Sequence, residues 1–94
     1  MSELHVYKSE CDWYIATSLD DAWEQLAKTM GETRTELESY EHMTQLPDDS
    51  PIKMLCERAA DGVMRPSDSG EHVTRTAAEW AAQEGRGMLG STEY

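Results

Sequence analysis

Two stretches of this chain carry near-complete sets of helix start and stop signals, and they divide everything else into segments too short for further long helices. Ser18 stands as an N-cap with Asp21 three residues on, an Asp-for-Glu variant of the capping box. Asp20 and Asp21 fall in the first turn, where the helix dipole favours negative charge. Leu19, Trp23, Leu26, Ala27 and Met30 keep helical spacing, and Gly31 sits where a helix stops. The spacing predicts a helix over 19–30. Thr76-Ala77-Ala78-Glu79 is a full capping box, so a second helix is expected from Ala77 to about Glu84, ended by Gly85.

The segments between read as strands and turns. Leu4 to Lys8 alternates with period two, and Asp12 to Thr17 follows after a short polar break. A two-residue loop at Ser9 and Glu10 sets Val6 against Trp13. A four-residue loop sets Val6 against Ile15. Both keep one apolar face together. Residues 32–46 are ambiguous: Leu37, Tyr40, Met43 and Leu46 suit a helix, whereas Glu38, Tyr40, His42, Thr44 and Leu46 share a face under period two. The turn cluster Pro47-Asp48-Asp49-Ser50-Pro51 favours a strand over 39–46 that closes a hairpin onto 52–57. Asp61-Gly62 marks a turn into Val63-Met64-Arg65. Residues 66–71 are expected to form a mobile polar loop, His72 to Thr74 a short extended piece, and 86–94 a C-terminal tail. The expected fold class is α+β, one domain over 1–94, a small mainly antiparallel sheet with two helices on one face, in the order β-β-α-β-β-β-α.

Composition then limits function. The chain has 94 residues, and a domain this size buries only roughly 60–65% of its unfolded surface, so each large apolar side chain matters. Three Trp, four Tyr and six Met supply much of that bulk, and Phe is absent. There are 19 acidic and 8 basic residues, a formal charge of −11. Phosphate affinity comes mainly from Lys and Arg, so direct nucleic-acid binding is not expected, nor is an anionic membrane surface. The charge suits a partner with a basic surface. No apolar run reaches the roughly 18 residues of a membrane span, and no apolar leader is visible. Cys11 and Cys56 are read as free thiols in a reducing cytoplasm.

No catalytic, cofactor or metal site is assigned. Gly85-Arg86-Gly87-Met88-Leu89-Gly90 has the letters of a dinucleotide fingerprint, but a helix precedes it where a strand is needed. His5, His42, His72 and the two cysteines lack the paired close spacing of a zinc site. Glu10 and Asp12 flank Cys11 and disfavour its thiolate, and Cys56 lies mid-strand. The carboxylate pairs Asp20/Asp21 and Asp48/Asp49 fall at a helix start and in a turn, where solvation keeps them ordinary. Arg86, Met88, Leu89 and Tyr94 form the expected partner-binding group, an Arg beside apolar residues in an acidic chain.

Cys11-Asp12-Trp13-Tyr14-Ile15-Ala16, together with Thr76 to Ala82, Gly85-Arg86-Gly87 and Ser91-Thr92-Glu93-Tyr94, resembles a group of short uncharacterised bacteriophage and prophage proteins. The resemblance implies a phage origin and a bacterial-cytoplasm setting, and it carries over no catalytic residue. The expected function is that of an accessory protein that binds a host or anti-phage defence protein and modulates or inhibits it. The alternative is a small-ligand, nucleotide-sequestering protein, oligomeric, with Arg65, Arg75 and Arg86 as anion donors. A DNA mimic and a small metal-dependent enzyme rank below these.

Overall fold

The computed structural model describes residues 3–10 and 12–91. The class is α+β with antiparallel pairing, as the sequence predicts, but the strands form two sheets and the helices number three among the described residues. The elements are β1 (His5–Lys8), β2 (Asp12–Ala16), α1 (Leu19–Met30), α2 (Arg34–Glu38), β3 (Thr44–Gln45), β4 (Pro51–Arg58), β5 (Met64–Pro66), β6 (Glu71–Thr76), α3 (Ala77–Glu84) and β7 (Gly87–Ser91). A four-stranded sheet runs β3-β1-β2-β7, and a three-stranded sheet runs β5-β4-β6.

The β1–β2 hairpin takes the four-residue register, with Val6 opposite Ile15 and Tyr7 opposite Tyr14. The reason is local: Ser9 donates its N–H to the Asp12 carbonyl (2.9 Å), and the Ser9 hydroxyl accepts from the Asp12 N–H (3.1 Å). That closes the turn over residues 9–12. Side chains alternate across a strand. Val6 and Ile15 therefore face one side, packed with Ile52, Met54, Trp80, Ala81 and Leu89. Tyr7, Tyr14 and Ala16 face the other, packed against Ala22, Trp23, Leu26 and Leu37. The helices thus lie on opposite faces of the four-stranded sheet, not on one. α1 and α2 cover one side; α3 and the three-stranded sheet cover the other.

α1 and α3 match their expected spans. Ser18 accepts from Asp21 N–H, and Gly31 takes the left-handed conformation at φ 70°. Thr76 and Glu79 close the capping box of α3. The segment 32–46 departs from the expected strand over 39–46. Thr33 and Glu36 make a second complete capping box, which starts α2 and drops Leu37 into the core at 0% exposure. Burying Leu37 outweighs the weak strand pattern that follows it. Only Thr44 and Gln45 are extended, and they pair with β1. The expected partner, β4, pairs instead with β6 from Pro51 to Cys56 and with β5 from Cys56 to Arg58.

The polar loop before β6 narrows to residues 67–70 and lies against β4 at both ends. Ser67 donates its N–H to the Leu55 carbonyl (2.9 Å). Gly70, at φ 111°, sits so close to β4 that a Cβ would lie 2.0 Å from the Cys56 carbonyl oxygen.

The segment expected as a tail holds a strand. β7 pairs with β2 through a bulge between Trp13 and Tyr14, and this bulge is what turns Leu89 inward. Leu89 is 4% exposed and its neighbour Met88 is 51% exposed. Leu89→Ala is therefore expected to cost about 2–5 kcal/mol, the range for a truncated core leucine. Met88→Ala should stay within about 0.5 kcal/mol, as for an exposed site. Urea unfolding of the two variants checks this; equal midpoints would contradict the strand.

Candidate functional site

Arg86 does not stand free beside an apolar tail. It follows Gly85, where α3 ends, and reaches across to the first turn of α1. There its Nε donates to Asp21 Oδ2 (2.9 Å) and its Nη2 donates to Asp21 Oδ1. Asp21 also accepts from the Thr17 N–H (3.0 Å) and the Thr17 hydroxyl (3.3 Å). The Asp that stands in for Glu in the capping box is thus spent on capping one residue further back and on clamping Arg86. Hydrogen bonding from Arg86 holds the Asp21 carboxyl well below the usual carboxylate range, with the Thr17 bonds acting in the same direction against burial. The pair joins the start of α1 to the start of β7.

The other three residues of the expected binding group separate. Leu89 is in the core, Met88 is exposed on β7, and Tyr94 lies outside the described residues. The arginines expected to share an anion are also apart in role. Arg65 is held by Asp61 (2.8 Å) and Glu84 (2.9 Å), Arg86 by Asp21, and Arg75 stacks over the Trp80 ring at 4.9 Å.

Three hollows test the chemical alternatives. One of about 500 Å³ is lined by Cys56, Glu57, Arg58, Met64, Gly70 and Glu71. Its two carboxylates repel phosphate, and burial pushes the Cys56 thiol up, away from a nucleophilic thiolate. A second, of about 370 Å³, lies between Glu3, Leu4, His5 and Asp48 and the alanines of α3. His5 Nδ1 is 2.9 Å from Asp48 there, and its Nε2 is 3.6 Å from Glu3. A third, of about 140 Å³, lies between Glu24, Gln25, Lys28 and Arg86. Among the described residues, no three His, Cys, Asp or Glu side chains gather in a metal-ligating group. Among them, too, no helix is long and apolar enough to cross a membrane.

What the structure brings together instead is the segment of α1 and α2, held against each other. Residues 19–41 carry Asp20, Asp21, Glu24, Glu32, Glu36, Glu38 and Glu41 against Lys28 and Arg34, a balance of 2 − 7 = −5 within the −11 of the chain. Arg34 is already shared between Asp20 (2.7 Å) and Glu38 (2.9 Å). Leu19, Met30 and Tyr40 lie on the same layer, each 44–46% exposed. The Tyr40 hydroxyl donates to Glu32, and this bond pushes its pKa up to about 12. Seven of the 19 acidic residues of the chain thus fall within 19–41, one of them, Asp21, taken up by Arg86. The available sequence signal was the Thr33-Glu36 capping box, which sets α2 beside α1.

Comparison with known protein families, with curated proteins and with solved structures finds no match.

The Asp21–Arg86 pair makes a prediction about pH. Asp21 binds a proton less readily folded than unfolded, so its contribution is present above its ordinary value near 3.8 and is lost as pH falls toward the lower folded value. Unfolding followed by circular dichroism from neutral to strongly acidic pH should show a steeper loss of stability in the wild type than in Asp21→Asn. Parallel curves would contradict the role given to this carboxylate.

Proposed function

We propose that this chain is a protein-binding module whose α1–α2 layer docks on the cationic surface of another protein. The observation that carries the reading is the exposure of Leu19, Met30 and Tyr40 among the carboxylates of one helical layer. Apolar side chains supply contact energy at the centre of an interface, and surrounding charge supplies steering and selects the partner. A −11 chain attracts cationic surfaces at long range and rejects acidic ones. Apolar anchors inside that field convert encounter into a specific complex.

The resemblance to short phage and prophage proteins makes a bacterial host protein, or an anti-phage defence protein, the partner class to test first. In that setting the module works in the bacterial cytoplasm and modulates its target by occupying a basic surface. Arg86 acts as a clamp within the fold, and both it and Met88 are exposed for contact.

The test compares two double charge reversals of equal size. Glu24→Lys/Glu38→Lys alters the α1–α2 layer, and Asp49→Lys/Asp68→Lys alters exposed sites elsewhere. Tagged wild-type protein is used to capture its partner from infected-cell lysate, and the purified pair is then titrated at graded salt. The first variant is expected to bind about tenfold or more weakly, as for reversed interface charges, and the second to bind nearly as the wild type does. Equal binding by both would remove the α1–α2 layer as the interface.

A further inference from the structure

β6 is an edge strand of the three-stranded sheet. It pairs with β4 without irregularity from Pro51↔Thr76 to Cys56↔Glu71, and among the described residues the order β5-β4-β6 leaves its other side unpaired. The other edges of comparable position are poorer templates: β7 is bulged, and β3 has two residues. Ala77 donates its N–H to the Ser50 carbonyl (2.9 Å), which continues the β4–β6 ladder by one step. Backbone groups alternate in direction along an antiparallel strand. Odd-numbered residues of β6 therefore bond toward β4, and His72 and Thr74 turn their N–H and C=O groups outward. Thr76 is not available, because its N–H donates to Glu79 Oε1 (2.9 Å).

The side chains make this edge self-complementary. Glu71 and Arg75 lie two residues on either side of Val73 and on the same face of the strand. Arg34, Arg65 and Arg86 each hold a carboxylate, but Arg75 has no ion pair among the described residues, and its buried Nη1 has no acceptor there. The Glu71 side chain likewise has no hydrogen bond or ion pair among them, and it is exposed.

We propose that two copies of this chain associate by antiparallel pairing of β6 with β6, about a twofold axis at Val73. His72 then lies opposite the partner's Thr74, and their outward backbone groups satisfy each other. Glu71 lies opposite the partner's Arg75, and Arg75 opposite the partner's Glu71. These are the non-hydrogen-bonded pairs, in which side chains stand closest. Val73 meets the partner's Val73. The contact is isologous, as a closed dimer requires, and it continues the three-stranded sheet across the axis. It uses neither α1 nor α2, so it leaves the docking layer free.

Sedimentation of the full chain from micromolar to millimolar concentration tests this. The wild type should reach twice its 10.6 kDa mass. Glu71→Arg alone and Arg75→Glu alone each place like charges across the axis, so each should associate about tenfold or more weakly. Mixed together, they restore opposite pairs at both positions and should form a heterodimer. If Arg75→Glu fails to fold by circular dichroism, the double variant Glu71→Arg/Arg75→Glu is compared with Glu71→Arg; where it too fails to fold, the wild type and Glu71→Arg still decide. Wild-type protein that stays at 10.6 kDa throughout, or Glu71→Arg that dimerises as well as the wild type, would overturn the pairing. A mixture of folded variants that stays monomeric would overturn the Val73-centred register.

Discussion

The structure depends on a short hairpin that is buried on both sides. Val6 and Ile15 point one way, Tyr7 and Tyr14 the other, and all four are at most 3% exposed. A strand pair with two dry faces needs cover on each, and a chain of 94 residues has few elements to give. The arrangement follows. α1 with α2 covers the tyrosine face, and α3 with β4 covers the Val6–Ile15 face. Two small cores on either side of one sheet replace the single thin core that such a length would otherwise allow.

Trp80 joins the two sheets. It is fully buried, and its indole N–H donates to the Ile52 carbonyl on β4 (2.9 Å) while its ring packs among Val6, Ile15 and Leu89. An indole donor left unpaired in the core would cost about 1–3 kcal/mol. This bond therefore fixes where the three-stranded sheet sits relative to α3. The small residues Ala77 and Ala81 on the same helical face allow the close approach that Trp80 requires. At the far side, the Asp21–Arg86 pair ties α1 to the start of β7, so that both layers are fastened to the hairpin's neighbours.

What could be read from the sequence was local in origin. α1 and α3 were legible because a cap, a box and a terminal glycine lie within one helix length of each other. The hairpin was legible, but not its register, because the deciding bonds run between Ser9 and Asp12 within the turn. The sequence of β7 reads as a tail because Gly85, Gly87 and Gly90 suggest flexibility. What makes it a strand is the open side of β2, which lies far away in sequence. β4 was recognised, but it was assigned to residues 39–46 when its partner is β6, since period-two patterns do not name their neighbours. The binding group suffered in the same way. Leu89 goes to the core and Arg86, though exposed, is bonded to Asp21, while Leu19, Met30 and Tyr40 pass as ordinary members of a helix and an ambiguous segment.

The functional account rests on the use of the α1–α2 layer. Its inner side supports the hairpin through Trp23, Leu26 and Leu37, and Leu19, Met30 and Tyr40 stand exposed at the ends of its helices beside carboxylates. A surface packed firmly from beneath binds without a large ordering cost, which suits the docking role proposed for this layer. The most direct measurement is a titration of isotope-labelled protein with a synthetic amphipathic peptide of lysine and leucine, followed by amide chemical shifts. The account predicts saturable shifts concentrated on the exposed residues of 19–41, with Leu19, Glu24, Met30 and Tyr40 among the largest, weakening as salt is raised. Shifts spread evenly over the acidic residues of the whole chain, or centred on β4 to β6, would contradict it.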